Sequence, residues 1–353
     1  MTGHVDEAGC DDGAGDGSTD DVDDGSTLLV AGGSRVDAGK TTFSTGLVAF
    51  LSGAVDNGSG KSEETGGSPN PAAPAKPADS ANPAGSTGPA TGDAVGVKPR
   101  AGNDYWFDHD DVRVATDTGR LYGKDARRLA AASTRPLDPA DGAIPPESIN
   151  PVHRLWRPTP GRTGMLGDAD RTFLCDRVTT ADGSRYVVNG AAEAAGLLPA
   201  ALSDRLPLAD ATRVSDIREF NEVMASAYLP AFERLAGRVA RASVPVVIES
   251  YADVASPMST RGDSDVDVGI DAVAVVDPGR ARIYAGDRYT KARQVAAGSA
   301  REGRLEEHTD AVTDMIEPVA TVALPALSGE ERARPASVAE RYHRAYEALL
   351  DAM

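Results

Sequence analysis

The 353-residue chain carries 54 Asp and Glu against 36 Lys and Arg, a formal net charge of -18. That surplus argues against nucleic-acid binding by bulk charge; it suits a chain adapted to high salt, where carboxylates stay hydrated and screening blunts their repulsion. Two distant cysteines, Cys10 and Cys175, give neither a disulfide framework nor metal-ligand spacing, and no apolar run nears the roughly 18 residues of a membrane span.

Residues 1–26 hold nine acidic residues and no Lys or Arg, a composition that predicts disorder. No basic-then-apolar leader opens the chain, so a cytoplasmic location and no membrane partner are expected. Thr27–Ala31 is a short apolar run ending in glycines, the pattern of a buried strand, and Phe43, Leu47 and Leu51 give Lys40–Leu51 a helical spacing. Residues 53–93, rich in Gly, Ser, Pro and Ala, predict a low-complexity flexible insertion. Ala94–Val97 predicts a second strand and Arg120–Ala132 a helix. Glu147–Arg162, with several prolines, is expected to be a loop. FLCDRV and RYVVN, joined by Ala-Asp-Gly-Ser within Arg171–Asn189, predict a hairpin. Asp216–Arg241 predicts one long amphipathic helix with Phe220, Val223, Met224, Tyr228, Phe232, Leu235 and Val239 on its apolar stripe. Strands follow at Val244–Ile248, Ala272–Val276, Ala281–Tyr284 and Val319–Leu324. Between them, residues 258–268 predict an acidic loop. Helices are predicted at Tyr289–Gly303, preceded by a capping segment from Gly286, and at Ser337–Met353 with Ser337 as N-cap. Strands alternating with helices predict an α/β fold with a mostly parallel sheet covered on both faces, interrupted by the insertion and by an inserted subregion at about 103–215.

The segment Gly33-Ser34-Arg35-Val36-Asp37-Ala38-Gly39-Lys40-Thr41-Thr42 follows a predicted strand and opens a predicted helix. That context suits a phosphate-binding loop, whose consecutive N–H groups and helix N-terminus attract polyphosphate. Gly39 would let backbone approach the ligand, Lys40 would reach the β and γ phosphates, and the Thr41 hydroxyl would ligate Mg2+. Five residues rather than four separate Gly33 from Gly39. The chain has only six lysines, which gives one at this turn added weight.

In this longer loop the chain resembles dethiobiotin synthetase and the related cobyrinate amide synthases. The resemblance extends to Lys98-Pro99, where that family ends its second strand with a Lys near substrate and phosphate. It extends further to Val246–Glu249, where a strand ends in a Glu that binds Mg2+. It covers about 60 residues. The family's Gly-rich turn after that Glu is replaced here by Ser250-Tyr251-Ala252-Asp253. The resemblance implies a P-loop three-layer sandwich, ATP and Mg2+ as cofactors, and catalytic roles for Lys40, Lys98 and Glu249. Arg35 stands where relatives carry a lysine that crosses a homodimer to the partner's nucleotide; the alternative is a solvent-facing Arg or one paired with Asp37.

Asp108 or Asp111, within Asn103–Asp111, is implied as a further Mg2+ ligand beside Thr41 and Glu249. The competing reading is a solvated acidic loop anchored by Trp106 and Phe107. Lys98, Arg100, Arg154, Arg157 and Arg162 are candidates to clamp an anionic substrate, or else partners for the many carboxylates. His109 and His153 are candidate general bases or structural residues. No Asn-Lys-x-Asp guanine motif occurs, so ATP is preferred over GTP. The function expected is an MgATP-dependent enzyme, either synthetase-like or a small-molecule kinase, with an unknown second substrate. The alternative is a nucleotide-switched ATPase acting on a protein partner or dimer. A polynucleotide-kinase-like activity is disfavoured by the net charge.

Overall fold

β-branched runs punctuated by glycine and proline build the strands, which in chain order are β1 (Thr27–Gly32), β2 (Val95–Val97), β3 (Arg100–Asp104), β4 (Val152–Thr163), β5 (Ala169–Thr180), β6 (Gly183–Asn189), β7 (Thr212–Val214), β8 (Val246–Glu249), β9 (Ala272–Asp277), β10 (Arg280–Ala285) and β11 (Ala320–Ala323). This computed structural model describes residues 25–33, 38–53, 92–138, 141–163, 169–258, 268–296 and 307–353, with backbone only over 160–163 and at 169. The expectations for most of residues 1–26 and 53–93, for Ser34–Asp37 and for most of 258–268 lie outside the described residues.

The strands form two mixed sheets rather than the single mostly parallel one predicted. The first has the order β11-β10-β9-β1-β8-β2. Its four strands β2, β8, β1 and β9 run parallel, and β10 and β11 add an antiparallel edge. β1, at the centre, is buried along its whole length, as a strand covered on both faces must be. The second sheet, β3-β4-β5-β6-β7, is built from Arg100–Val214. Its neighbours in sequence alternate between two apolar clusters, Phe173 and Val187 on one face and Leu174 and Val188 on the other, which is the period of two expected of a strand between two cores.

Helix α1 (Lys40–Leu51) follows β1. It packs on the terminal helix Pro335–Leu350, where Phe43 and Tyr346 meet edge to face at 4.9 Å and the Tyr346 hydroxyl donates to the Phe43 carbonyl at 3.0 Å. Helices α2 (His109–Thr118) and α3 (Lys124–Ala132) lie in sequence between β3 and β4 of the second sheet.

Several boundaries differ from the sequence expectations. Arg120–Gly123 is not helical: Gly119, at φ 66°, ends α2, and the next helix starts at Lys124. The expected loop 147–162 is a short helix, Pro146–Ile149, followed by β4. β4 tolerates Pro158 and Pro160 because its parallel partner β3 stops opposite Trp156, leaving that side of β4 as an edge where no N–H is required. The 216–241 helix is broken by a π-helical turn at Met224–Tyr228. Pro230, just beyond, has no N–H to give to the preceding turn. The helix expected from Tyr289 already begins at Gly286. Arg334, not Ser337, occupies the N-cap of the terminal helix, whose first residue is Pro335, a position where the missing N–H costs nothing.

Candidate functional site

The parallel strands β1, β8 and β2 all point their C-terminal ends to one edge of the first sheet. Ligands of open α/β sheets bind at such an edge. β1 delivers Gly32 and Gly33 there, β8 ends in Glu249, and β2 is followed by Lys98. Gly33 is tied in by its N–H to the Val276 carbonyl at 3.0 Å. A Cβ at Gly33 would stand 1.8 Å from the Asp277 carboxylate, so a larger residue there would have to displace that side chain.

Gly39 caps α1 with φ 85°, in the left-handed region that favours glycine, with no side-chain cap. A Cβ there would meet nothing within 4 Å among the described residues. The first-turn N–H groups of any α-helix lack intrahelical acceptors, so this turn has amides and a positive dipole end to offer an anion.

Lys40, Thr41, Lys98 and Glu249 are brought together. The Thr41 hydroxyl donates to Glu249 Oε1 at 2.8 Å, and Lys98 Nζ forms a short ion pair with the same oxygen. Glu249 is fully buried, and its second oxygen, Oε2, is buried with no hydrogen-bond partner. Buried polar groups in native proteins are almost always satisfied, so this oxygen is a ready acceptor for a cation or a donor. Lys40 Nζ donates to the Ala252 carbonyl at 2.7 Å. Ala252 itself has φ 47°, unusual for a residue with a Cβ. Thr42, the next residue of α1, is half-buried; Ala38, just before Gly39, is buried.

Asp125, in the first turn of α3, completes the cluster at 3.3 Å from Lys98 Nζ. No motif marks it in the sequence: it is an acid in a helix's first turn, a common placement. Electrostatics bind the group together. Burial, then Lys98, pull the Lys40 ammonium below the usual lysine range, against Glu249, Asp125 and Asp253. Burial would also pull Lys98 down, but Glu249 and Asp125 outweigh it and hold the ammonium charged. Burial pushes the Asp125 carboxyl up, yet Lys98 and the Thr41 hydroxyl keep it below its ordinary value.

The other candidates make their own contacts. Asp108 accepts from the Asp104 N–H at 2.7 Å and lies 3.7 Å from Lys124 Nζ. Asp111 accepts from Asn103 at 2.7 Å, and burial raises its carboxyl. Trp106 and Phe107 are exposed, 59% and 85%, so neither anchors this turn. Among the described residues no three of His, Cys, Asp and Glu converge as a metal-binding group. His109 opens α2 on the surface. His153 is buried; burial, then Arg177 and Lys98, push it down to about 3, so it is a neutral imidazole.

The arginines are spoken for. Arg154 forms a two-pronged pair with buried Asp176 at 2.8 and 2.6 Å and stacks on Phe173 at 4.6 Å. Arg157 donates to the Leu197 carbonyl. Arg100 lies over the Phe232 ring at 4.6 Å. The side chain of Arg162 is outside the described residues. Arg154 is thus engaged by a carboxylate and Arg157 by a backbone carbonyl within the second sheet's own surroundings.

No protein-family model, curated protein or solved structure matches the chain. Among the described residues, no helix is long and apolar enough to cross a membrane.

Proposed function

We propose that the chain is a P-loop enzyme that binds MgATP and transfers its terminal phosphoryl group. The observation that carries this reading is the convergence of Thr41, Lys98 and Glu249 at one carboxylate oxygen, at the sheet edge beside the Gly39–Lys40 helix start. The α1 amides and Lys40 would hold the phosphates. Thr41 and Glu249, whose Oε2 lacks a partner, fit a hard cation that prefers oxygen ligands and keeps water and phosphate in its shell. When bound, Mg2+ would neutralise charge on the transferring group. Lys98, held charged by Glu249 and Asp125, supplies a fixed cation to the same place. ATP is preferred because no guanine-reading motif is present.

A second reading, a nucleotide-switched ATPase, is favoured by one contact. Lys40 must release the Ala252 carbonyl to reach a phosphate, and that release couples nucleotide binding to the turn after β8. Turnover separates the two, since a switch hydrolyses ATP faster with its protein partner, whereas a synthetase or kinase needs its small substrate.

The first test is thermal stability with MgATP. A ligand that binds only the folded state stabilises it by mass action, about 2.7 kcal/mol at a hundredfold excess over Kd. The parent should gain stability on adding MgATP, and Lys40→Ala should keep its melting temperature without nucleotide but lose the gain. Equal stabilisation of both would overturn the site.

A further inference from the structure

The turn after β8 is fastened to the segment that opens the helix Thr309–Thr313. Val254 and His308 pair as an isolated antiparallel bridge. The Thr309 N–H and hydroxyl both donate to the Asp253 carbonyl, at 2.8 and 2.9 Å, and the Ala255 N–H donates to the Glu307 carbonyl at 2.8 Å. These backbone contacts seat the His308 ring against Asp253, with Nδ1 3.3 Å from Oδ2. The approach is off-line for a hydrogen bond, a looseness common in catalytic contacts before substrate tightens them. Nδ1 is buried, while the side chain as a whole keeps 44% exposure.

Two observations tie this pair to the phosphate loop. Lys40 Nζ donates to the carbonyl of Ala252, the residue before Asp253. The Asp253 carboxylate is also among the charges that act on the Lys40 ammonium. The left-handed backbone at Ala252 marks the same turn as strained, as is common where a structure holds residues for function. The other charges near the ring are Glu307, with Arg293 3.8 Å from it, and Asp310 on the histidine's own helix.

Resting on the ATP reading above, we propose that His308, oriented by Asp253, is the general base that activates the nucleophile attacking the terminal phosphorus. With the Nδ1 edge facing the carboxylate, Nε2 keeps its lone pair for a proton. In the simplest case the nucleophile is water. Its oxygen bonds to the γ phosphorus, its proton passes to Nε2, the bond from γ phosphorus to the bridging oxygen breaks, and ADP leaves with the electron pair. An alcohol acceptor would follow the same bookkeeping and yield a phosphate ester. In the Lys98–Asp125–Glu249 cluster both acids pair with Lys98, and the unpartnered Glu249 Oε2 is the oxygen assigned above to the cation.

The test measures phosphate release by the full chain with ATP and Mg2+, alongside ATP binding by calorimetry. His308→Ala should lower kcat about a hundredfold or more, the usual reach of a positioned base, and Asp253→Asn should lower it about tenfold or more. Neither should change ATP affinity more than about threefold, because neither is placed on the phosphates. Added imidazole should restore turnover of the His308→Ala protein about tenfold and leave the Lys40→Ala protein inactive. Turnover of His308→Ala within about threefold of the parent overturns the proposal, as does a loss that imidazole does not recover. A parent that binds ATP but releases no phosphate overturns it too, whereas a parent that binds no ATP overturns the nucleotide reading itself.

Discussion

At the scale of single residues, the site is a charge arrangement that cannot be thinned one member at a time. Glu249 is fully buried and Lys98 nearly so, and their ion pair shares its oxygen with Thr41. Removing one partner of a buried pair strands the other charge out of water, at a cost of about 3–5 kcal/mol, whereas replacing both is often close to neutral. Lys98→Met should therefore lower the urea midpoint sharply, Glu249→Gln should lower it too, and the double variant should be more stable than Lys98→Met alone. Additive losses in that cycle would mean the two side chains do not depend on each other. Of these residues, Lys40 and Thr41 could be picked out in sequence because they open a helix after a glycine-bounded loop, and Lys98 and Glu249 because they stand at strand ends that resemble a known family's. Asp125, Asp253 and His308 could not. They reach the same edge through helix and loop placements that depend on how the chain packs, and no spacing in the sequence records that.

At the scale of elements, the strands of the first sheet were legible because continuous apolar runs such as Leu28–Ala31 and Ala272–Val276 suit only a strand buried on both faces. β4 was not, because its prolines spoke for a loop; only the early end of β3 makes that edge tolerant. The division into two sheets was hidden for a related reason: local pattern identifies a strand but not its neighbour. The link between α1 and β2 is where an element-scale prediction can be made. A Cβ at Gly92 would lie 3.9 Å from the Leu51 carbonyl, so the chain leaves α1 and returns to β2 at nearly the same point. Closing a shorter loop between ends already adjacent costs little, and loop entropy changes by only about 0.6 kcal/mol per doubling of length. Deleting residues 56–91 should leave a soluble protein with the same MgATP-induced stabilisation. Aggregation of the deleted form, or loss of the nucleotide effect, would show that the segment contributes structure.

At the scale of the whole molecule, the net charge of -18 sets the response to salt. Like charges spread over a surface oppose compaction, and screening relieves them as the Debye length falls from about 10 Å at 0.1 M to about 3 Å at 1 M. Salt also weakens exposed ion pairs such as Arg218–Glu222 and Lys291–Asp287, but such pairs contribute only about 0–1 kcal/mol each. The buried pairs Lys98–Glu249 and Arg154–Asp176 are shielded from mobile ions and hardly respond. Relief of repulsion therefore outweighs loss of pairing. Raising KCl from 0.1 to 1 M should increase the melting temperature by several degrees, with about 2–4 °C for each kcal/mol regained in a chain of this size or somewhat smaller. Scanning calorimetry across that range decides the matter: a flat or falling melting temperature would mean that the acidic surplus is already neutralised within the fold and serves something other than stability in salt.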